Sequence, residues 1–201
     1  NSALEDNHPL YQMLHFISKM LWFRSLDENR YIGYTAKSND YYDFIFEGGL
    51  MKELESFLHK AGLKENLTAK KDPDGKVRLY FDGRVPLPFF KVASSGTKAL
   101  YTFFYWNKTA KNVSLMFIDE FDAFYHYELA ETIVKLLEEK QGIQTILTSH
   151  NTNLLSNRIM RPDCYFILTD SKLTSFANAT ERELREGHNL EKLYMSGEFD
   201  V

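Results

Sequence analysis

Four apolar residues run straight into two carboxylates in Leu115-Met-Phe-Ile-Asp-Glu120. Read as a strand, this stretch sets Asp119 and Glu120 at its carboxyl end, the edge of an α/β sheet where ligand chemistry collects. In phosphoryl-transfer sites a carboxylate at that place holds magnesium, usually through water, and the next one orients or deprotonates the attacking water. About one helix and one strand later, Thr145-Ile-Leu-Thr-Ser-His150 ends a second apolar run in hydroxyls and an imidazole. A histidine there can hydrogen-bond a terminal phosphate. Upstream, Ala93-Ser-Ser-Gly-Thr-Lys98 opens a helix, and successive backbone N–H groups, hydroxyls and the positive helix end make an anion site. Each segment taken singly also has a plain structural reading: an acidic strand end, an ordinary strand-end histidine, and an N-cap.

The elements that must position these residues follow from periodicity. After Ser94 the pattern alternates: helix from about Thr97 to Trp106, strand Leu115 to Asp119, helix from about Tyr125 to Glu139, strand Ile143 to Thr148, short helix, strand Cys164 to Leu168. This is an α/β order, and the short continuous apolar strands fit a parallel sheet with helices on both faces. Lys172 to Phe176 reads as a polar-edged strand and Asn189 to Met195 as a final helical turn or two. Before Ser94, apolar residues Leu10, Met13, Leu14, Ile17, Met20 and Leu21 recur at helical steps, so the spacing predicts one helix from Pro9 to about Arg24. Ser25 to Asp40 breaks the pattern. Helical spacing resumes from Tyr41 to about Ala61, with Gly48-Gly49 as an interruption and Gly62 as a cap. Asp72-Pro-Asp-Gly75 marks a hairpin, and Pro86 and Pro88 confine the next strand to an edge.

In combination, the order Ser-Ser-Gly helix, apolar-Asp-Glu strand, helix, Thr-Ser-His strand resembles the carboxyl-terminal half of an ABC-type ATPase head. Ser94, Ser95 and Gly96 resemble the signature motif, Ile118-Asp119-Glu120 the Walker B strand with its catalytic glutamate, and His150 the switch histidine. Phe121 to His126 occupies the position of the D-loop. The wording Asp119-Glu-Phe-Asp-Ala-Phe-Tyr-His126, Ser149-His-Asn-Thr-Asn-Leu-Leu155, Arg161-Pro-Asp-Cys164 and Gly187-His-Asn-Leu-Glu-Lys-Leu-Tyr194 is similar to bacterial stand-alone AAA-type, ABC-like ATPases. Many of those carry abortive-infection or phage-defence descriptions. The resemblance covers about Ser94 to Phe199 and is loose before that.

The resemblance implies ATP as ligand, Mg2+ on Asp119, Glu120 and His150 as catalytic groups, and Ser94, Ser95 and Gly96 as contacts to ATP held by a second head. It implies a homodimer of heads driving a separate effector protein. The pattern Gly-x-x-x-x-Gly-Lys-Ser/Thr occurs nowhere in the 201 residues. The chain is therefore expected to be the second half of a longer polypeptide, inactive without an amino-terminal lobe carrying the phosphate loop. The expected division is a helical insertion or lid over residues 1–70 and the carboxyl-terminal lobe over residues 71–201.

Composition narrows the alternatives. With 44% apolar and 26% charged residues the chain is a folding, globular one. Lysine and arginine number 24 against 28 acidic groups, a formal charge of −4, so no global basic field advertises nucleic acid or anionic membrane. The lone Cys164 forms no intrachain disulfide, no window reaches about 18 apolar residues, and no export signal opens the chain, which together point to the cytoplasm. Tyr101, Phe103, Phe104, Tyr105 and Trp106 crowd one helix, and packing explains them better than base stacking. Two other functions compete with the ATPase. One is a catalytically idle interaction module that keeps a dimer surface. The other is a metal nuclease using Asp119, Glu120 and Asp122, disfavoured because the apolar-Asp-Glu context already fits the Walker B strand.

Overall fold

The computed structural model describes residues 6–23, 31–33, 41–110 and 112–199. In chain order the elements are α1 (Pro9–Ile17), β1 (Met20–Phe23), β2 (Tyr31–Gly33), α2 (Phe44–Glu47), α3 (Met51–Lys60), β3 (Leu67–Lys71), β4 (Val77–Phe81) and β5 (Leu87–Pro88). They continue with α4 (Phe89–Val92), α5 (Ser95–Thr109), β6 (Leu115–Ile118), α6 (Tyr127–Glu138), β7 (Gln144–Leu147), β8 (Phe166–Leu168), β9 (Leu173–Ser175) and α7 (Leu190–Met195). Contacts divide the chain into two units, residues 1–124 with 141–148, and residues 125–140 with 149–201.

The first unit is built on a sheet of order β2-β1-β6-β7, in which β1, β6 and β7 are parallel and β2 is an antiparallel edge. The chain is thus α/β with a parallel three-stranded core, and β6 has a parallel neighbour on each side. Register aligns Leu21, Met116 and Thr145 in one row and Phe23, Ile118 and Leu147 in another. Leu21, Phe23, Met116 and Ile118 are buried, and Phe23 meets Trp106 of α5 edge-on at 5.5 Å between ring centres. The alternate residues Trp22 and Ile146 are exposed and Phe117 between them is half-buried, as the two-residue strand period requires when one face packs more deeply than the other.

The helix expected from Pro9 to about Arg24 is corrected. It ends at Ile17, and Met20 to Phe23 form β1, paired in parallel with β6 from Met20↔Leu115 to Phe23↔Ile118. Met20 and Leu21 continue the helical spacing by coincidence. Completing the hydrogen-bond ladder of a buried strand outweighs that weak local preference. Residues 1–70 are accordingly not purely helical, since they supply β1 and β2 to the main sheet and β3 to a hairpin. Of the stretch Ser25 to Asp40, Tyr31–Gly33 is β2, and the remainder lies outside the described residues.

Buried continuously from Ala99 to Trp106, α5 is the packing centre of this unit. Tyr101, Phe103, Phe104, Tyr105 and Trp106 are each no more than 3% exposed, so the aromatic run is core. Two phenols here satisfy their polar ends, as buried ones must. The Tyr101 hydroxyl donates to the Tyr41 carbonyl at 3.0 Å, and the Tyr41 hydroxyl meets Thr102 Oγ1 at 2.8 Å. Burial pushes the Tyr41 phenol well above its usual range. Phe57 of α3 packs against Phe103 and Phe104. The hairpin forms as expected, with β3 and β4 antiparallel around Gly75 (φ +82°), and β5 confined to the edge.

In the second unit α6 buries Ala130, Ile133, Val134 and Leu137, the i, i+3, i+4, i+7 stripe of an amphipathic helix. A separate core gathers Tyr165, Ile167, Phe176, Ala179, Leu190 and Phe199. The strand expected to extend the main sheet at Cys164 to Leu168 is corrected: β8 pairs antiparallel with β9 in a sheet of their own. Four residues, Thr169 to Lys172, join them, and the Thr169 N–H donates to the Lys172 carbonyl, so the local turn captures β8. No helix among the described residues is long and apolar enough to cross a membrane.

Candidate functional site

The first unit places Asp119 and Glu120 immediately past the carboxyl end of β6, where the sequence pattern expects them. The Asp119 N–H donates to the Phe23 carbonyl at 3.0 Å, carrying the ladder one residue beyond β6, and the Thr148 N–H donates to the Ile118 carbonyl at 3.1 Å, carrying it one residue beyond β7. Asp119 and Thr148 are thereby neighbours across two parallel strands. The chain then turns sharply. Glu120 has φ +45°, a left-handed conformation that a residue with a Cβ adopts only under constraint. Two bonds supply it: the Glu120 N–H donates to Thr148 Oγ1 at 2.8 Å and the Phe121 N–H to the Thr148 carbonyl at 3.2 Å. The Thr148 hydroxyl also bonds Asp119 Oδ1 at 2.5 Å. Asp119 is half-buried and Glu120 is exposed, so the fold fixes the first carboxylate and presents the second.

Ser94, Ser95 and Gly96 open α5 in the same unit. Ser94 is its N-cap, extended in backbone, with Oγ accepting from the Thr97 N–H at 3.1 Å. The capping reading of this motif is therefore realised, and it coexists with an exposed helix end, since Ser94 and Ser95 are both exposed. Gly96 has a specific steric reason. A Cβ there would lie 2.7 Å from the Phe124 carbonyl oxygen, closer than side chains tolerate. The signature-like turn thus rests on the backbone of the loop that follows the two carboxylates. Periodicity carries no sign of this contact.

His150 follows Thr148 by two residues and is exposed; it belongs by contacts to the second unit. There Ser149 Oγ accepts the Asn151 N–H at 2.9 Å, and Asn151 Oδ1 accepts the Asn153 N–H at 3.2 Å, shaping the turn of 3-10 helix at Thr152–Leu154. The Tyr165 hydroxyl, 2.7 Å from the Leu154 carbonyl, braces the far end, and burial raises its phenol. His126 is the exposed N-cap residue of α6.

The residues present fit a magnesium-nucleotide site. Mg2+ asks for one or two carboxylates and takes its other ligands from phosphates and water. Asp119 offers that, with Oδ1 engaged by a neutral hydroxyl and Oδ2 left for a cation or its water. Asp122, the third carboxylate of the nuclease reading, is buried, and among the described residues no three His, Cys, Asp or Glu side chains converge on a metal position. Sequence reasoning missed Thr148. Once β6 and β7 are taken as parallel neighbours, counting the register from Ile118↔Leu147 puts Thr148 opposite Asp119.

No curated protein matches the chain. A family match spans residues 1–156, more than three quarters of the 201, and bears the description "AAA domain, putative AbiEii toxin, Type IV TA system". It reaches across the first ninety residues, where the sequence resemblance is loose, and stops before the second unit's core. With Asp119 and Glu120 ending a parallel strand of an α/β sheet, and with that match over most of its length, the chain belongs to this AAA-type, ATPase-like abortive-infection family.

Proposed function

We propose that this chain is the signature-bearing half of an ATP-hydrolysing head that works as a dimerising switch in defence against phage. The observation that carries the reading is the constrained acidic pair: Asp119 held by Thr148, and Glu120 presented on a left-handed turn beside it. Family membership supplies the nucleotide-binding, ATPase-like class. The defence role rests on the family description and the sequence resemblance.

In this mechanism Asp119 would hold Mg2+, which when bound would offset charge on the terminal phosphates of ATP. Glu120, exposed beside Asp119, accepts hydrogen bonds from the attacking water and orients it in line with the terminal phosphate. His150, on the segment leaving β7, hydrogen-bonds that phosphate. Ser94, Ser95 and Gly96 serve ATP held by a second head, and the exposed, N-capped end of α5 suits that task because its free N–H groups and dipole favour an anion. A lysine-bearing phosphate loop comes from another lobe, since none is encoded in these 201 residues. Phosphoryl transfer is catalysed by positioning and charge, so the chain alone hydrolyses no appreciable ATP.

The test is release of labelled phosphate from ATP by the purified chain, alone and mixed with a lobe carrying the loop. The expected result is background turnover alone and turnover on mixing, abolished by Glu120→Gln. Vigorous hydrolysis by the isolated chain that Glu120→Gln removes would overturn the half-site argument. Absence of turnover in the mixture, with the two pieces shown to associate, would overturn the ATPase.

A further inference from the structure

We propose that Thr148 is a positioning residue of this site, a single hydroxyl that orients both carboxylates and sets the affinity of Asp119 for a divalent cation. The inference deepens the ATPase reading and rests on it for its catalytic consequence. A hydroxyl has one proton and two lone pairs. The Glu120 backbone N–H can only donate, so Thr148 Oγ1 accepts from it at 2.8 Å. An ionised carboxylate can only accept, so the one hydroxyl proton goes to Asp119 Oδ1 at 2.5 Å. Both directions are forced.

Two consequences follow for the site. With Oδ1 bonded to Thr148, rotation of the Asp119 carboxylate is restrained, so an ion would meet a prearranged ligand rather than a rotor. A left-handed backbone is unfavourable for a residue with a Cβ. The Glu120 amide bond to Thr148 is one of the contacts that hold Glu120 there, and with it the direction of its side chain. The backbone of Thr148 completes the clamp by donating to the Ile118 carbonyl and accepting the Phe121 N–H. Residues 118–121 are stitched to one threonine. A β-branched side chain suits this post because its χ1 is stiff.

Thr148→Val keeps the shape and removes both side-chain bonds; Thr148→Ser keeps both bonds. The chain as it stands is sufficient for the test, with Mn2+ as the probe. In amide hydrogen exchange followed by NMR, Glu120 is expected to be protected although its side chain faces solvent. Thr148→Val loses that protection at least tenfold, Thr148→Ser keeps it within about threefold, and the Phe121 amide, bonded to the Thr148 carbonyl, changes little. In a Mn2+ titration read as paramagnetic broadening of the Asp119 and Glu120 amides, Thr148→Val needs at least fivefold more ion, and Thr148→Ser restores the wild-type midpoint.

An unchanged Mn2+ midpoint in a folded Thr148→Val overturns the positioning role even where the exchange pattern shifts, because the bond is then architectural only. Should Thr148→Val not fold, two measurements still decide. Rapid exchange of the Glu120 amide in the wild-type chain overturns the clamp, and so does a Thr148→Ser chain whose Mn2+ midpoint has moved. Failure of the completed head to hydrolyse ATP, with the Mn2+ and exchange results as expected, would sink the ATPase reading and leave Thr148 orienting a cation site.

Discussion

Asp72 with Asp74 and Asp119 with Glu120 are two carboxylate pairs of the first unit that are held in opposite ways. At the hairpin turn, the Arg78 guanidinium bonds Asp72 and also grips Asp74 with two nitrogens, at 3.0 and 2.5 Å. The Tyr80 hydroxyl adds a bond to Asp72 Oδ1 at 2.5 Å. These charges are spent locally. Past β6, Asp119 is held by a neutral hydroxyl, and the turn that follows it is held by backbone N–H groups. Its negative charge is positioned without being neutralised by that contact. Paired acids in a sequence therefore say little by themselves, and the partner on the first oxygen decides whether the second is available for chemistry.

The sharpest way to break this contrast is to remove each pair in the head completed by a phosphate-loop lobe. Asp119→Ala is expected to lower ATP turnover by on the order of a hundredfold or more, the usual scale for losing a group that organises transition-state charge. The double change of Asp72→Ala with Asp74→Ala should leave turnover within about twofold. Steady-state phosphate release under saturating ATP checks both, and a comparable loss from the hairpin pair would end the distinction.

A smaller effect is expected from steric coupling, which also separates the two regions. Gly96 rests on the Phe124 carbonyl, so Gly96→Ala must push the loop that follows Glu120 or tilt the start of α5. Overpacking of this kind costs about 1–3 kcal/mol, against a helix-propensity gain of at most about 1 kcal/mol. Net destabilisation in urea unfolding is expected, together with shifted Glu120 and Phe121 amide resonances. Gly75→Ala, in the hairpin at φ +82° with open space around it, is strained in its own backbone only and should leave those resonances in place. Identical spectra for Gly96→Ala and wild type would show that the turn and the loop are not coupled.

The legible part of this molecule is the part whose local and tertiary preferences agree. Leu115 to Ile118 reads as a buried strand because it is one, and the two carboxylates announce its end. Asp72-Pro-Asp-Gly75 forces a turn in any setting. Met20 to Phe23 was illegible for a physical reason: an apolar residue every three or four positions satisfies a helix and a short buried strand equally, and only the edge of β6 decides between them. β8 fails as a main-sheet strand because a tight connection to β9 captures it first. At the site, Asp119, Glu120, Ser94 and Gly96 stand out by residue type. Thr148 does not, since a threonine ends many strands, and its role comes from parallel register. The contact of Gly96 with Phe124 joins residues far apart in sequence, which no local pattern encodes.

The gentlest test uses pH on the hairpin pair. Bonds from the Arg78 guanidinium, with the Lys76 N–H assisting, hold the Asp74 carboxyl down to about 2 against an ordinary 3.8, and the Tyr80 hydroxyl, then Arg78, lowers Asp72 in the same direction. For a carboxyl lowered by folding, the linked stabilisation is complete above the unfolded value and is lost as pH falls through the folded one. The turn should therefore stay intact below pH 3.8 and loosen toward pH 2, a range in which an unbound aspartate is already protonated. Carboxyl-carbon NMR should show an Asp74 midpoint near 2 at low salt. Both groups are exposed, so added salt should draw that midpoint upward, and Arg78→Met should return it to near 3.8. A midpoint already near 3.8 in the wild type would mean that arginine does not spend the hairpin charges, and the contrast with Asp119 would lose its electrostatic half.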